Sequence, residues 1–118
     1  MSTPSGKHEA IVRIIVCHFP SAQAIYQLGV YETPEGWDDV ELDFGILLPP
    51  SFEVRDGMGD VEACQRELST ALGQPVDLVN CGAVPPVIQR DIVENGTLLF
   101  CGEPQAVAEF ERKARAGQ

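Results

Sequence analysis

The chain lacks several features that would each assign it to a class of protein. It contains no run of about 18 apolar residues, so no membrane-spanning helix is expected. Its first residues include no positively charged region followed by an apolar stretch, so no secretory signal is expected. No Cys-x-x-Cys pair occurs among its four cysteines, which all lie in apolar segments: Cys17, Cys64, Cys81 and Cys101. This distribution favours reduced core residues of a cytoplasmic protein over a zinc site.

Basic residues are also few. Of 118 residues, 8 are Lys or Arg and 18 are Asp or Glu, which gives a formal net charge of −10. Because contacts to phosphate require Lys and Arg, the composition gives no strong nucleic-acid signal. It suits either a basic protein partner or simple solubility. A late cluster of Arg112, Lys113 and Arg115 falls in the last turn of a predicted helix, where cations interact favourably with the helix dipole.

Common catalytic motifs are missing as well. The sequence has no Gly-x-Ser-x-Gly, no Gly-x-x-x-x-Gly-Lys and no Cys–His pair in a catalytic context. His18, on the first predicted helix, is expected to be a packed or surface residue rather than a base. The run Gly57-Met58-Gly59 weakly resembles a phosphate-binding turn, but it lacks the flanking strand and lysine of such turns.

The hydrophobic pattern predicts an α/β fold in one domain of residues 1–118, with 1–6 as a flexible N-terminus. A loop is predicted over 51–59, after which Asp60 would cap a helix. The other predicted elements are helices over 8–19 and 86–94 and from residue 104, with strands over 22–28, 40–48, 75–81 and 97–101. Alternating strands and helices indicate a mixed sheet with flanking helices.

One pattern points to chemistry. Gly29-Val30 is followed by ten residues and then by Glu41-Leu42-Asp43 at the start of a predicted strand. Residues i and i+2 of a strand share a face, so the carboxylates of Glu41 and Asp43 are expected to converge. Asp77 lies near the start of a later predicted strand. Grouped carboxylates suit a divalent cation such as Mg²⁺, although carboxylates at strand ends also commonly just face solvent.

This layout resembles the nucleotidyltransferase superfamily, which includes DNA polymerase beta and kanamycin nucleotidyltransferase, and in particular the minimal nucleotidyltransferases encoded beside HEPN-domain proteins. Their signature is Gly-Ser, ten residues, Asp-x-Asp and a third Asp on a later strand. The resemblance extends over residues 8–112 and includes a helix, a glycine stop and a short strand within 85–100.

The resemblance implies a nucleotidyltransferase-like mixed β-sheet with flanking helices and a set of site residues. Gly29 and Val30 would bind the nucleotide. Glu41, Asp43 and Asp77 would be the catalytic residues and would form the Mg²⁺ site. Within it, Glu41 and Asp43 would hold the ion, and Asp77 would also help to activate the acceptor. The substrate would be ATP or another nucleoside triphosphate, and the acceptor a partner such as a HEPN toxin.

The chain departs from the signature in ways that leave two functions open. Val30 has no hydroxyl for a phosphate, Glu41 is one methylene longer than Asp, and the acidic segment 32–35 lacks the usual arginine. One function is a nucleotidyltransferase of impaired activity. The other is a catalytically degenerate interaction module that acts as an antitoxin by binding its partner. One exposed sheet edge would also permit a homodimer.

Overall fold

The structure, a computed structural model, describes residues 6–28, 42–49 and 54–116. Its helices are α1 (Gly6–His18), α2 (Val54–Leu72), α3 (Pro86–Asn95) and α4 (Pro104–Arg115). Its strands are β1 (Ala24–Leu28), β2 (Leu42–Leu47), β3 (Val76–Asn80) and β4 (Thr97–Cys101). The predicted mixed sheet with flanking helices is confirmed.

The four strands form one sheet in the order β3-β2-β1-β4. Strand β1 runs antiparallel to both β2 and β4, whereas β2 and β3 are parallel and joined through α2. Strand β2 is therefore central, as its nearly continuous apolar sequence indicates. Strand β4 forms the other edge and carries no charged residue, and its Leu98 is 41% exposed.

Helices cover both faces of the sheet because side chains alternate along each strand. Leu42, Phe44 and Ile46 of β2 point to the face on which α1 and α2 pack, and they join the first hydrophobic core. Residues of the opposite parity form a second core with α3 and α4; its buried members are Ala24, Tyr26, Leu47, Cys81, Ile92 and Val107.

Helices α3 and α4 begin where the sequence predicts. Each has proline in its first turn, where the missing N–H leaves no intrahelical bond unmade. In α4 the predicted inward residues Val107 and Ala114 are buried, and Phe110 packs against the second core.

Helix α2 begins at Val54, so the predicted loop over 51–59 and the capping role of Asp60 are wrong. Gly57 and Gly59 lie within the helical backbone, which also excludes a phosphate-binding turn there. Each glycine in a helix costs about 1 kcal/mol relative to alanine. Burial of Cys64 and Leu68 further along α2, worth roughly 1.5–3 kcal/mol for a large apolar side chain, stabilises the later turns of the helix.

The cysteine prediction is half correct. All four thiols are free; Cys64 and Cys81 are buried, whereas Cys17 and Cys101 are exposed and do not belong to the core. Among the residues described, no helix is long and apolar enough to cross a bilayer.

Candidate functional site

Asp43 and Asp77 lie side by side on neighbouring strands. Strands β2 and β3 are parallel, and Asp43 is paired with Asp77 in their register. Adjacent strands lie about 4.8 Å apart, and paired residues of a parallel ladder point to the same face. The two carboxylates that the sequence analysis singled out on separate strands therefore form one acidic pair.

This pair lies on the face that α3 and α4 partly cover. Its neighbours along the strands, Leu42 and Val76, point the other way into the first core. Asp77 is exposed and Asp43 is half-buried, and Leu28 of β1 is the register partner of Asp43 on its other side. The pair is thus accessible at the end of the sheet where β2 and β3 begin.

The remaining predicted site residues lie outside the described part of the chain. These are Gly29 and Val30, predicted to bind nucleotide, and Glu41, predicted to hold metal with Asp43. Their positions relative to Asp43 and Asp77 remain predictions.

The donor set at the pair suits a hard cation. Hard divalent cations take oxygen ligands, and the carboxylate-bearing residues Asp43 and Asp77 are register partners here. Within residues 6–28, 42–49 and 54–116, no group of three or more His, Cys, Asp or Glu side chains is arranged to hold a metal ion. A third carboxylate would have to come from elsewhere in the chain, and Glu41 is the residue that the sequence predicts.

Side chains of α2 hold the edge strand that carries Asp77. The Val76 N–H donates to Ser69 Oγ at 3.2 Å, and the Leu78 N–H donates to Gln65 Oε1 at 2.8 Å. Both donors lie on the outer edge of β3, where no further strand pairs with them in the described sheet. Asp77, between these two residues, is therefore held in a fixed register next to Asp43.

Gln74, at the same end of the sheet, is a residue that the sequence analysis missed. It lies between Gly73, which has a left-handed φ of 67°, and Pro75, whose carbonyl accepts the Leu42 N–H at 3.0 Å. Its side chain is buried, and its Nε2 and Oε1 have no hydrogen-bond partner among the residues that the structure describes. Nothing in the sequence marks this glutamine, because glutamine in a turn is usually exposed.

A partly buried hydrogen bond joins the second core to α4. The Tyr26 hydroxyl donates to Glu111 Oε2 at 2.9 Å, and its ring lies 6.0 Å from the Phe110 ring. Burial and then the Glu111 carboxylate raise the pKa of Tyr26 well above its usual range, so the hydroxyl keeps its proton. Residues this far apart in sequence give no local signal of such a contact.

His18 lies away from the acidic pair. Its Nε2 is 2.8 Å from Glu67 Oε1, which joins the end of α1 to α2. This contact agrees with the expectation of a packed or surface histidine. It gives His18 a structural partner rather than a place at the candidate site.

The sequence matches no protein-family model and no curated protein. Solved structures do match the fold. A tri-AMPylated Shewanella oneidensis HEPN toxin in complex with MNT antitoxin gives a TM-score of 0.72 at 23% identity, over 93% of this chain and 82% of that chain. A toxin–antitoxin structure with AMP-PNP gives 0.75 at 22% identity, over 92% and 84%.

The chain therefore has a nucleotidyltransferase-like fold. More narrowly, its fold is that of the chains matched in MNT antitoxin–HEPN toxin complexes. The MntA–HepT toxin–antitoxin complex is a further example, with a TM-score of 0.72 at 21% identity over 93% of this chain and 82% of that chain. The fold that the sequence resemblance implied is thus confirmed.

Proposed function

We propose that this protein is a magnesium-dependent nucleotidyltransferase of the MNT antitoxin type, which transfers AMP from ATP to a hydroxyl of a HEPN toxin partner in the cytoplasm. The register pairing of Asp43 with Asp77 carries the proposal, because it brings together two of the three acids of the nucleotidyltransferase signature. One matched structure contains AMP-PNP and another contains a tri-AMPylated HEPN toxin, which supports both the nucleotide and the acceptor.

The roles follow from the chemistry of the transfer. Glu41 and Asp43 would hold Mg²⁺, which when bound neutralises charge on the triphosphate. Asp77 would accept the proton of the acceptor hydroxyl, whose oxygen forms the new bond to the α-phosphorus as pyrophosphate leaves. Gly29 would let a phosphate approach the backbone closely. The side chain of Val30 has no hydroxyl to donate a hydrogen bond to that phosphate, so we expect slow turnover.

The first test is transfer itself. The pure protein is incubated with α-labelled ATP and Mg²⁺ in a lysate of its host, as wild type and as Asp43→Asn, Asp77→Asn and Asp91→Asn. We expect the wild type to label a protein. Asp91→Asn should label it equally well, because Asp91 is an exposed residue of α3 outside the acidic pair. Each of the other two variants should lose labelling by about 100-fold, the scale on which misplaced reacting groups lower rates.

Two further results bear on the assignment. Val30→Ser restores the hydroxyl of the signature and should strengthen magnesium-dependent nucleotide binding, measured by titration calorimetry, whereas Asp43→Asn should weaken it. Equal labelling by wild type and both carboxylate variants would exclude the acidic pair as the site.

Binding without catalysis is the second candidate function. Val30 and Glu41 both depart from the residues of the signature, and they favour it. In that case the wild type gives no label, while the protein still forms a complex with its partner. A labelled partner would exclude this alternative.

A further inference from the structure

A groove runs between α3 and α4 on the surface of the second core. Its volume is about 630 Å³, and its lining residues are Gln89, Phe110, Arg112, Lys113 and Ala116. We refer to these five residues as the α3–α4 groove. The volume is in the range of sites that hold a ligand or a few side chains of a partner.

The groove lies at the end of β3 opposite to the acidic pair. Gln89 Nε2 donates to the Cys81 carbonyl at 2.9 Å, and Cys81 directly follows the last residue of β3. Asp77 is the second residue of that strand. Four residues of extended chain span about 13 Å, so a molecule in the groove leaves the acidic pair open.

Both charged residues of the groove are cations, although the whole chain has a net charge of −10. The side chains of Arg112 and Lys113 are 70% and 62% exposed. They share one carboxylate, Glu109, at 3.8 Å and 3.4 Å. Exposed pairs at such distances contribute little, so the groove keeps positive charge available to a partner.

Apolar groups accompany this charge. Phe110 lines the groove with the ring that packs against Tyr26, so its position is fixed by the second core. Arginine and aromatic residues are enriched at protein–protein contact sites.

We propose that the α3–α4 groove docks a segment of the partner protein that carries Asp or Glu together with aliphatic side chains. The identity of that partner as the acceptor rests on the proposed function, whereas the chemistry of the segment follows from the groove. Carboxylates of the segment pair with Arg112 and Lys113, and its aliphatic side chains cover Phe110. Charge complementarity of this kind guides association and fixes the orientation of the partner.

A protein segment fits the groove better than a nucleic acid does. A nucleic acid would bring a continuous row of phosphates toward a strongly acidic protein, and two cations neutralise only two of them. Docking at the groove would hold the partner while another part of it reaches Asp43 and Asp77. The partner would then be retained through more than one transfer.

The experiment uses the full chain and a fluorescein-labelled amphipathic peptide of glutamate and leucine at helical spacing, with binding followed by fluorescence anisotropy. Arg112→Glu/Lys113→Glu should raise the Kd by about tenfold or more, because two attractive contacts become repulsive. Arg112→Gln/Lys113→Gln, which removes the charges without repelling Glu109, should weaken binding in the same direction. Thermal unfolding of each variant checks that the fold is retained.

The matched control is Arg13→Glu/Arg66→Glu, which makes the same charge change on exposed residues of α1 and α2. It should leave the Kd within about twofold, and added salt should weaken the wild-type complex. Equal losses in the two charge-reversal variants, or no binding by wild type, would overturn the proposal. Tighter binding of an oligouridylate, lost in the same Arg112 and Lys113 variants, would overturn it in favour of RNA.

These outcomes are independent of catalysis. Asp43→Asn should bind the peptide as the wild type does, because the acidic pair lies at the other end of β3. Peptide binding together with absent AMP transfer would retain the groove and exclude the transferase. Normal AMP transfer together with absent peptide binding would retain the transferase and exclude the groove as a docking site.

Discussion

The side chain of Cys81 leaves no room for a side chain larger than hydrogen at Gly45. Gly45 follows Asp43 by two positions on the same face of β2. A Cβ atom added at Gly45 would lie 2.6 Å from Cys81 Sγ and 3.7 Å from Leu28 Cδ2. Cys81 is fully buried in the second core and has little room to move. The thiol therefore occupies the space that a side chain at position 45 would need.

Gly45→Ala should lower the free energy of unfolding by about 1–3 kcal/mol, because overpacking forces neighbours in a dense core to shift. Urea unfolding measures the change. In Gly45→Ala/Cys81→Ala the thiol is gone, so the double variant should be less destabilised than the sum of the two single variants. Additive effects would show that the two positions do not compete for space.

At the scale of single elements, the edge of β3 depends on α2. Gln65 and Ser69 accept hydrogen bonds from the two outward N–H groups of Leu78 and Val76. These side-chain oxygens thus take the place of a further strand for two N–H groups of β3. Unpaired N–H groups of this kind are those through which an exposed edge pairs with other chains. The helix that connects β2 to β3 in sequence also fixes the position of β3 in the sheet.

Gln65→Leu removes one of these acceptors and leaves the Leu78 N–H without a partner. We expect a loss of about 1–3 kcal/mol, the penalty of an unsatisfied buried donor. Gln105→Leu, on the exposed surface of α4, is the matched control and should change stability by less than about 0.5 kcal/mol. If both variants unfold at the same urea concentration, the Gln65 bond does not support β3.

The sequence predicts best those helices whose ends are marked by proline or glycine. Pro86 and Pro104 mark the starts of α3 and α4, and Gly96 follows the end of α3. The start of α2 could not be predicted, because Gly57 and Gly59 favour a loop locally, whereas the helical backbone continues through both of them. The alternation of side chains along a strand predicts the face of the sheet to which each of the two carboxylates points. The pairing of Asp43 with Asp77 could not be predicted, because the register of two strands that are separated by a helix in sequence carries no local signal.

Over the whole molecule, each of the two cores contains one buried thiol. Burial, with Glu67 as a second cause, raises the pKa of Cys64 in the first core to about 12. Burial raises the pKa of Cys81 in the second core to about 12 as well. An unfolded thiol ionises near pH 8.5, so the folded and unfolded chains bind different numbers of protons in alkaline solution.

Stability should therefore fall as the pH rises from about 9 to about 12. In this range the unfolded chain loses the two thiol protons before the folded chain does, so the free energy of unfolding decreases with pH. The stabilisation is complete below the unfolded pKa. Denaturant midpoints across this range measure the slope, which should be shallower in Cys64→Ala/Cys81→Ala. Cys17→Ala/Cys101→Ala, at the exposed thiols, should keep the wild-type slope; an equal change in both would contradict the assignment.

The two edges of the sheet differ in a way that limits assembly. Side chains of α2 accept hydrogen bonds from two outward N–H groups of β3, whereas β4 is uncharged and exposes Leu98. Pairing between two copies of the chain is therefore favoured through β4 rather than through β3. Two β4 strands related by a twofold axis would join the sheets of both copies into one continuous sheet.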